Sequence, residues 1–165
     1  MTGKVKVSPR DYAAVSVMVE IARTSGQTPA TSSRVAAAIG VSLSYLEQMT
    51  ADLRGGGLIK SFRGKRGGYI LAKPADRISV LDIVLSAEDR ASGRCKETDD
   101  RLVSSRNPHS RDLQDQLEKL QYFLLQHISL ADVVSGTLIN HAVVSRILNM
   151  LVEGNDKRRM GDRTG

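Results

Sequence analysis

Cysteine is nearly absent from this chain. One thiol, Cys95, in 165 residues excludes an internal disulfide framework and fits a reducing compartment. Long hydrophobic runs are missing too: no stretch approaches the roughly 20 apolar residues of a membrane-spanning helix, so no membrane partner is expected. The basic opening MTGKVKVSPRDY has no signal-like apolar core behind it, and the chain is read as cytoplasmic. Acidic residues are scarce in one half only. Residues 1–75 hold 11 Lys and Arg against 4 Asp and Glu, a net of +7, whereas residues 76–165 hold 13 against 14, a net of −1. A generally basic soluble protein would spread its charge evenly. A basic front joined to a neutral back points instead to polyanion binding in the front half.

What is present is organised around residues 41–73, VSLSYLEQMTADLRGGGLIKSFRGKRGGYILAK. Ser42 can cap a helix, since its hydroxyl accepts from the free N–H groups of the first turn. Leu46, Met49 and Leu53 follow as one apolar stripe, while Ser44, Tyr45, Gln48 and Arg54 occupy the other face. Gly55-Gly56-Gly57 reads as a helix stop. Leu58 to Arg63 and Tyr69 to Leu71 read as short strands around a turn, Gly64 to Gly68, that carries Lys65 and Arg66. A polar-faced helix followed by a basic hairpin suits a winged helix-turn-helix, with one element in the major groove and the hairpin on the adjoining phosphates or minor groove.

Along the rest of the chain, Ser8-Pro9-Arg10-Asp11 predicts a helix start, with Tyr12, Val15, Met18, Val19 and Ala22 as its inward stripe. A short helix from Thr31 or Ser32 to Ile39, then Gly40, completes helix-turn-helix spacing. Ser79-Val80-Leu81-Asp82 predicts a further capped helix with Leu81, Val84 and Leu85 as its apolar face. Residues 90–107 are polar and read as a loop. Leu113, Leu117, Leu120 and Leu124 recur at spacings of 4, 3 and 4, the seam of a helix that packs on a partner, although such a stripe would serve equally as core within one chain. Ser129 to Asp132 caps another short helix, and Val143, Val144, Ile147, Leu148 and Leu151 form one more amphipathic stripe. The expected fold is mainly α with a small β-wing: a winged helix-turn-helix domain at 1–89, a sensor loop at 90–108, a long dimerisation helix and C-terminal helices at 109–153, and a disordered basic tail at 154–165.

SLSYLEQ, DLRGGGLI, the SFRG and GGY flanks of the hairpin and ISVLDIV together resemble the IscR-type regulators, a family that includes the iron–sulfur cluster regulator IscR, the nitric oxide sensor NsrR and the iron regulator RirA. The likeness runs from residue 8 to about 90 and resumes over residues 110–134. It implies a homodimeric bacterial transcription regulator, neither an enzyme nor a binder of a small-molecule substrate, that grips a double-stranded DNA operator. It also implies DNA-facing roles for Ser42, Ser44, Tyr45, Glu47, Gln48, Arg54 and Arg63, with the leucine seam as the dimer interface. Hydroxyls and arginine suit phosphates, Gln suits adenine, and Glu accepts from cytosine N4. The wing tip departs from the family's proline- and glycine-rich form: Lys65 and Arg66 add charge that favours phosphate contact.

The resemblance further implies an iron–sulfur cluster, of the 2Fe–2S type, in a repressor of iron or iron–sulfur genes. Cluster-binding relatives carry three cysteines where this chain has Cys95 alone. Imidazole replaces thiolate on one iron of Rieske centres, so His109 stands beside Cys95 as a candidate ligand, with Glu97, Asp99 and Asp100 as oxygen donors. A plain redox thiol is the other reading, if Arg94 and Lys96 lower the pKa of Cys95. Two further function classes stay in view. A winged-helix protein-interaction module would need no salt-sensitive DNA affinity. An enzyme with Cys95 as nucleophile has no oxyanion-type glycine loop or acid/base partner to support it.

Overall fold

Serine followed three residues later by aspartate starts three of the helices. Ser8 donates its amide and its hydroxyl to Asp11 Oδ2, at 2.6 and 2.7 Å. Ser79 and Asp82 exchange amide-to-side-chain bonds at 3.1 and 3.0 Å, and Ser129 and Asp132 form a full capping box. Each pair satisfies orphan N–H groups and puts a negative charge at the positive end of the helix dipole. The computed structural model describes residues 7–24, 28–64, 67–87, 108–137 and 145, with residues 108–112 in backbone only. Its elements are α1 (Pro9–Thr24), α2 (Ser32–Ile39), α3 (Leu43–Gly55), β1 (Ile59–Phe62), β2 (Gly68–Leu71), a 3₁₀ turn (Ala75–Arg77), α4 (Val80–Ala87), α5 (Pro108–His127) and α6 (Leu130–Ser135). It is a mainly helical winged helix-turn-helix. The helix expected over residues 143–151 and the tail at 154–165 lie outside the described residues.

The core gathers on α1. Ala14, Val17, Met18 and Ile21 are fully buried among Leu46, Met49 and Leu53 of α3, Ile83 and Ala87 of α4, and Leu130 of α6. The stripe expected on α1 is therefore rotated. Of its five members only Met18 is fully inside; Val15, Val19 and Ala22 are half-buried, and Tyr12 is 67% exposed. The cause is composition: α1 is apolar nearly all round, so spacing alone does not choose between its two stripes. The apolar face expected on α4 needs a similar correction. Leu85 is 45% exposed, while Val80, Ile83 and Ala87 are buried beside Leu81 and Val84. Here α4 is covered from two sides. Ile83 and Ala87 join the main core, and Val80, Leu81 and Val84 form a second cluster with Val15, Tyr122, Leu125 and Ile128. Only the remaining third of the helix, Asp82 and Leu85, faces outward.

Backbone pairing ties the C-terminal helices to this core. The Val80 amide donates to the Ile128 carbonyl at 2.9 Å, and the Leu130 amide to the Ile78 carbonyl at 2.8 Å. In the wing, β1 and β2 pair antiparallel, Ile59 opposite Leu71 and Phe62 opposite Gly68. A third chain segment joins them: Ala30, just before α2, exchanges two backbone bonds with Tyr69, at 2.9 and 2.8 Å. The neighbouring Gly68 has to be glycine, because a Cβ there would press into the Ala30 carbonyl.

Tyr69 also makes a side-chain junction. Its hydroxyl is hydrogen-bonded to Thr50 Oγ1 at 3.2 Å and to Ser32 Oγ at 3.5 Å. Thr50, 3% exposed, donates to the Glu47 carbonyl as well, at 3.1 Å. One residue of the wing thereby touches both helices of the helix-turn-helix. Tyr69→Phe removes the hydroxyl while Thr50 keeps its backbone partner, so the expected loss in urea unfolding free energy is about 0.5–1.5 kcal/mol, with helix content unchanged by circular dichroism. An unchanged urea midpoint would show that the junction carries no stability.

Candidate nucleic-acid interface

Ser42 starts α3 by accepting the Tyr45 amide on its hydroxyl at 3.2 Å. Leu46, Met49, Thr50 and Leu53 then point into the core. With those positions fixed, the 3.6-residue period turns Ser44, Glu47, Gln48, Ala51 and Arg54 to solvent, and all five are exposed. Tyr45 is half-buried and packs against the core through its ring. The salt bridge from Arg10 at the start of α1 to Asp52, at 2.7 Å, pins the far flank of the helix.

The other flank faces the wing. Leu43, Glu47, Thr50 and Arg54 follow at i, i+4, i+7 and i+11 along one edge of α3. Two of them bond the hairpin: Thr50 meets Tyr69 of β2, and Arg54 donates to Ser61 of β1 at 3.3 Å. The helix stop sets this up. Gly57 takes the left-handed conformation (φ 70°), its amide donates to the Arg54 carbonyl at 2.9 Å, and the Leu58 amide closes on Leu53 at 3.0 Å, a Schellman-type end. Leu58 and Ile59, each 2% exposed, then lead straight into β1. Helix and wing are thus joined by a short glycine turn that ends in the buried Leu58, and they are cross-bonded at two points. Lys60, Ser61, Phe62 and Arg63 are exposed along the wing.

The sequence-nominated residues fall into three groups. Ser42, Ser44, Glu47, Gln48 and Arg54 are exposed along α3, Arg63 is exposed at the end of β1, and Tyr45 is half-buried. Leu113, Leu117 and Leu120 are 61%, 57% and 37% exposed, and Leu124 is half-buried. Three of the four seam leucines are thus exposed, and among the described residues α5 packs inward through Tyr122 and Leu125. Lys65, Arg66 and Cys95 lie outside the described residues, and the backbone at His109 is in the first turn of α5. Among the described residues no group of three His, Cys, Asp or Glu is arranged to hold a metal. His127 closes α5, with Nδ1 2.8 Å from the Phe123 carbonyl and its ring 4.0 Å from the Phe123 ring. The features missed in the sequence are Tyr69, Ser61 and Ala30, which fix the wing against α3. The GGY triplet marked Tyr69 as strand, but nothing local marks its hydroxyl as a cross-link.

No helix among the described residues is long and apolar enough to cross a membrane. The Rrf2 family, described as iron-dependent transcriptional regulators, matches residues 8–136. An IscR of Photorhabdus laumondii is 32% identical over 154 residues, covering 88% of this chain and 85% of that one. A protein of Neisseria meningitidis serogroup A named as an HTH-type transcriptional regulator, NMA1593, is 44% identical over 77 residues, 47% of this chain and 52% of its own, so the match spans about half that relative's length. Among solved structures, CymR, the global cysteine regulator of Bacillus subtilis, superposes with a TM-score of 0.64 at 30% identity, over 79% of this chain and 96% of that one. These relatives are transcriptional regulators, not enzymes. With the match running unbroken through helix-turn-helix, wing and long helix, the chain belongs to the Rrf2 family of transcriptional regulators.

Proposed function

We propose that this protein is a homodimeric repressor that reads a roughly two-fold symmetric operator of iron or iron–sulfur genes through α3 and the wing. One observation carries the reading: α3 is bonded to the basic hairpin twice, by the contact of the buried Thr50 with Tyr69 and by the exposed Arg54–Ser61 contact, so the polar face of α3 and the hairpin are held side by side. On that surface Gln48 suits an adenine edge, Glu47 suits cytosine N4, and Ser42, Ser44, Arg54 and Arg63 suit phosphates. Lys65 and Arg66 would add phosphate contacts at the wing tip. The excess of exposed leucine on α5 supports a second copy as its cover, since a solvent-facing 4-3-4 seam gains nothing in a monomer. The family's description supports the link to iron.

The donor set limits the cofactor. One cysteine per chain cannot supply the four thiolates of an all-cysteine cluster, even when two chains share a site. A 2Fe–2S cluster held by Cys95 would need His109 or carboxylates as its other ligands. The same shortage favours a second reading, a thiol- or partner-sensing regulator with Cys95 as its redox group. Iron and acid-labile sulfide analysis on protein purified without oxygen separates the two. Stoichiometric iron and visible absorption, both lost in Cys95→Ala, are expected from a mixed-ligand cluster; colourless, iron-free protein that binds DNA only when reduced is expected from a thiol sensor.

The DNA reading is tested with duplexes selected from a random pool by the full-length protein. Affinity is expected to fall steeply with salt, by about 0.9 in log K per log unit of salt for each phosphate contact, and Arg63→Ala to flatten that slope by about 1. Leu117→Glu is expected to sediment as a monomer and to bind the same duplex about 100-fold or more weakly, because two linked half-sites are lost. Salt-independent binding, or no DNA binding at all, would leave the winged-helix protein-interaction module.

A further inference from the structure

Leu43 is the one large apolar side chain among the exposed residues of α3, at 51% exposure. The fold does not need it there. Ser42 already caps the helix, and the apolar positions that bracket a cap are filled by Val41, packed against the core, and Leu46, fully buried. Nor does Leu43 extend a hydrophobic patch of α3, since its solvent-facing helix neighbours are Ser44 and Glu47. It stands on the wing-side edge with Glu47, Thr50 and Arg54, at the first position of the helix. In helix-turn-helix docking, that N-terminal end is the part that meets base edges.

The major groove offers such a side chain a single kind of complement. Beside the donors and acceptors of the four base edges, and the small C–H groups of cytosine C5 and purine C8, the C5-methyl of thymine is the one sizeable apolar group. A half-exposed leucine facing polar base edges would strip water from them without replacing its hydrogen bonds, whereas against a methyl it buries apolar surface on both sides. We infer that Leu43 reads a thymine methyl, one in each operator half-site, adjacent to the base read by Glu47. The inference rests on the DNA-reading function proposed above and adds a base identity to it.

The test replaces each thymine of a pool-selected duplex, one at a time, with deoxyuridine, which lacks the methyl but keeps pairing and the O4 acceptor. Binding is measured with the full-length protein and with Leu43→Ala and Leu43→Met. At one thymine per half-site the wild type is expected to lose about 3- to 5-fold in affinity, the worth of one buried methyl. Leu43→Met, which keeps an apolar body, retains that discrimination; Leu43→Ala binds the thymine and uracil duplexes alike. Leu43→Ala is expected to unfold at the wild-type temperature, as its side chain is outside the core. Absence of any methyl-sensitive position, or an unchanged thymine-to-uracil ratio in Leu43→Ala, overturns the assignment while DNA reading stands. Failure to select any sequence overturns the DNA reading, and this assignment with it.

Discussion

The angle between α3 and the wing depends on a small set of polar contacts around Tyr69. Its backbone closes a third strand position with Ala30, and its hydroxyl reaches Thr50 on α3 and Ser32 on α2. A two-stranded hairpin alone is marginal in water, so this wing takes its position from what it is bonded to. The buried Leu58–Ile59 step and the Arg54–Ser61 contact add two more restraints. Reading DNA needs such rigidity, because groove and phosphate contacts must be met together to within fractions of an ångström. Polar bonds suit the task better than apolar packing, since their directionality fixes an orientation as well as a distance.

Much of this was legible in the sequence, and the reasons are local. Each Ser-x-x-Asp start is a four-residue signal whose chemistry is complete within itself, and all three predicted starts fall where they were read. On α3 the stripe of Leu46, Met49 and Leu53 alternates with clear polarity, so its inward face was readable. On α1 it was not. Tyr12, Ala13, Ala14, Val15, Val17, Met18, Val19, Ile21 and Ala22 form an almost continuous apolar run, and which of its faces is deepest depends on α3, α4 and α6. Leu85 misled for the converse reason: an apolar residue at helical spacing stays outside because α4 is already covered on its other two sides. The Ala30–Tyr69 pairing had no sequence signal, since a single bridged residue carries no periodicity.

The same balance of buried and exposed surface separates the parts of the molecule by role. α5 sinks Tyr122 and Leu125 into the cluster around Val80 and leaves Leu113 and Leu117 outside. α3 sinks its stripe and leaves serines, a glutamate, a glutamine and an arginine outside, with Leu43 among them. An apolar outer face on one helix and a polar outer face on the other call for different covers, a protein surface and a polyanion. The net charge of +7 on residues 1–75 agrees with the second, and that charge lies on the half that contains the wing.

The measurement closest to the central claim is hydrogen–deuterium exchange on the full-length protein, free and saturated with a pool-selected duplex. If α3 and the wing form one reading surface, exchange slows together in peptides covering the first turns of α3 and the β1–β2 hairpin, while peptides of the α5 seam, which the proposed dimer covers with or without DNA, keep the same rates. Protection confined to α5 or to the helices behind α3, with α3 and the hairpin unchanged, would contradict it.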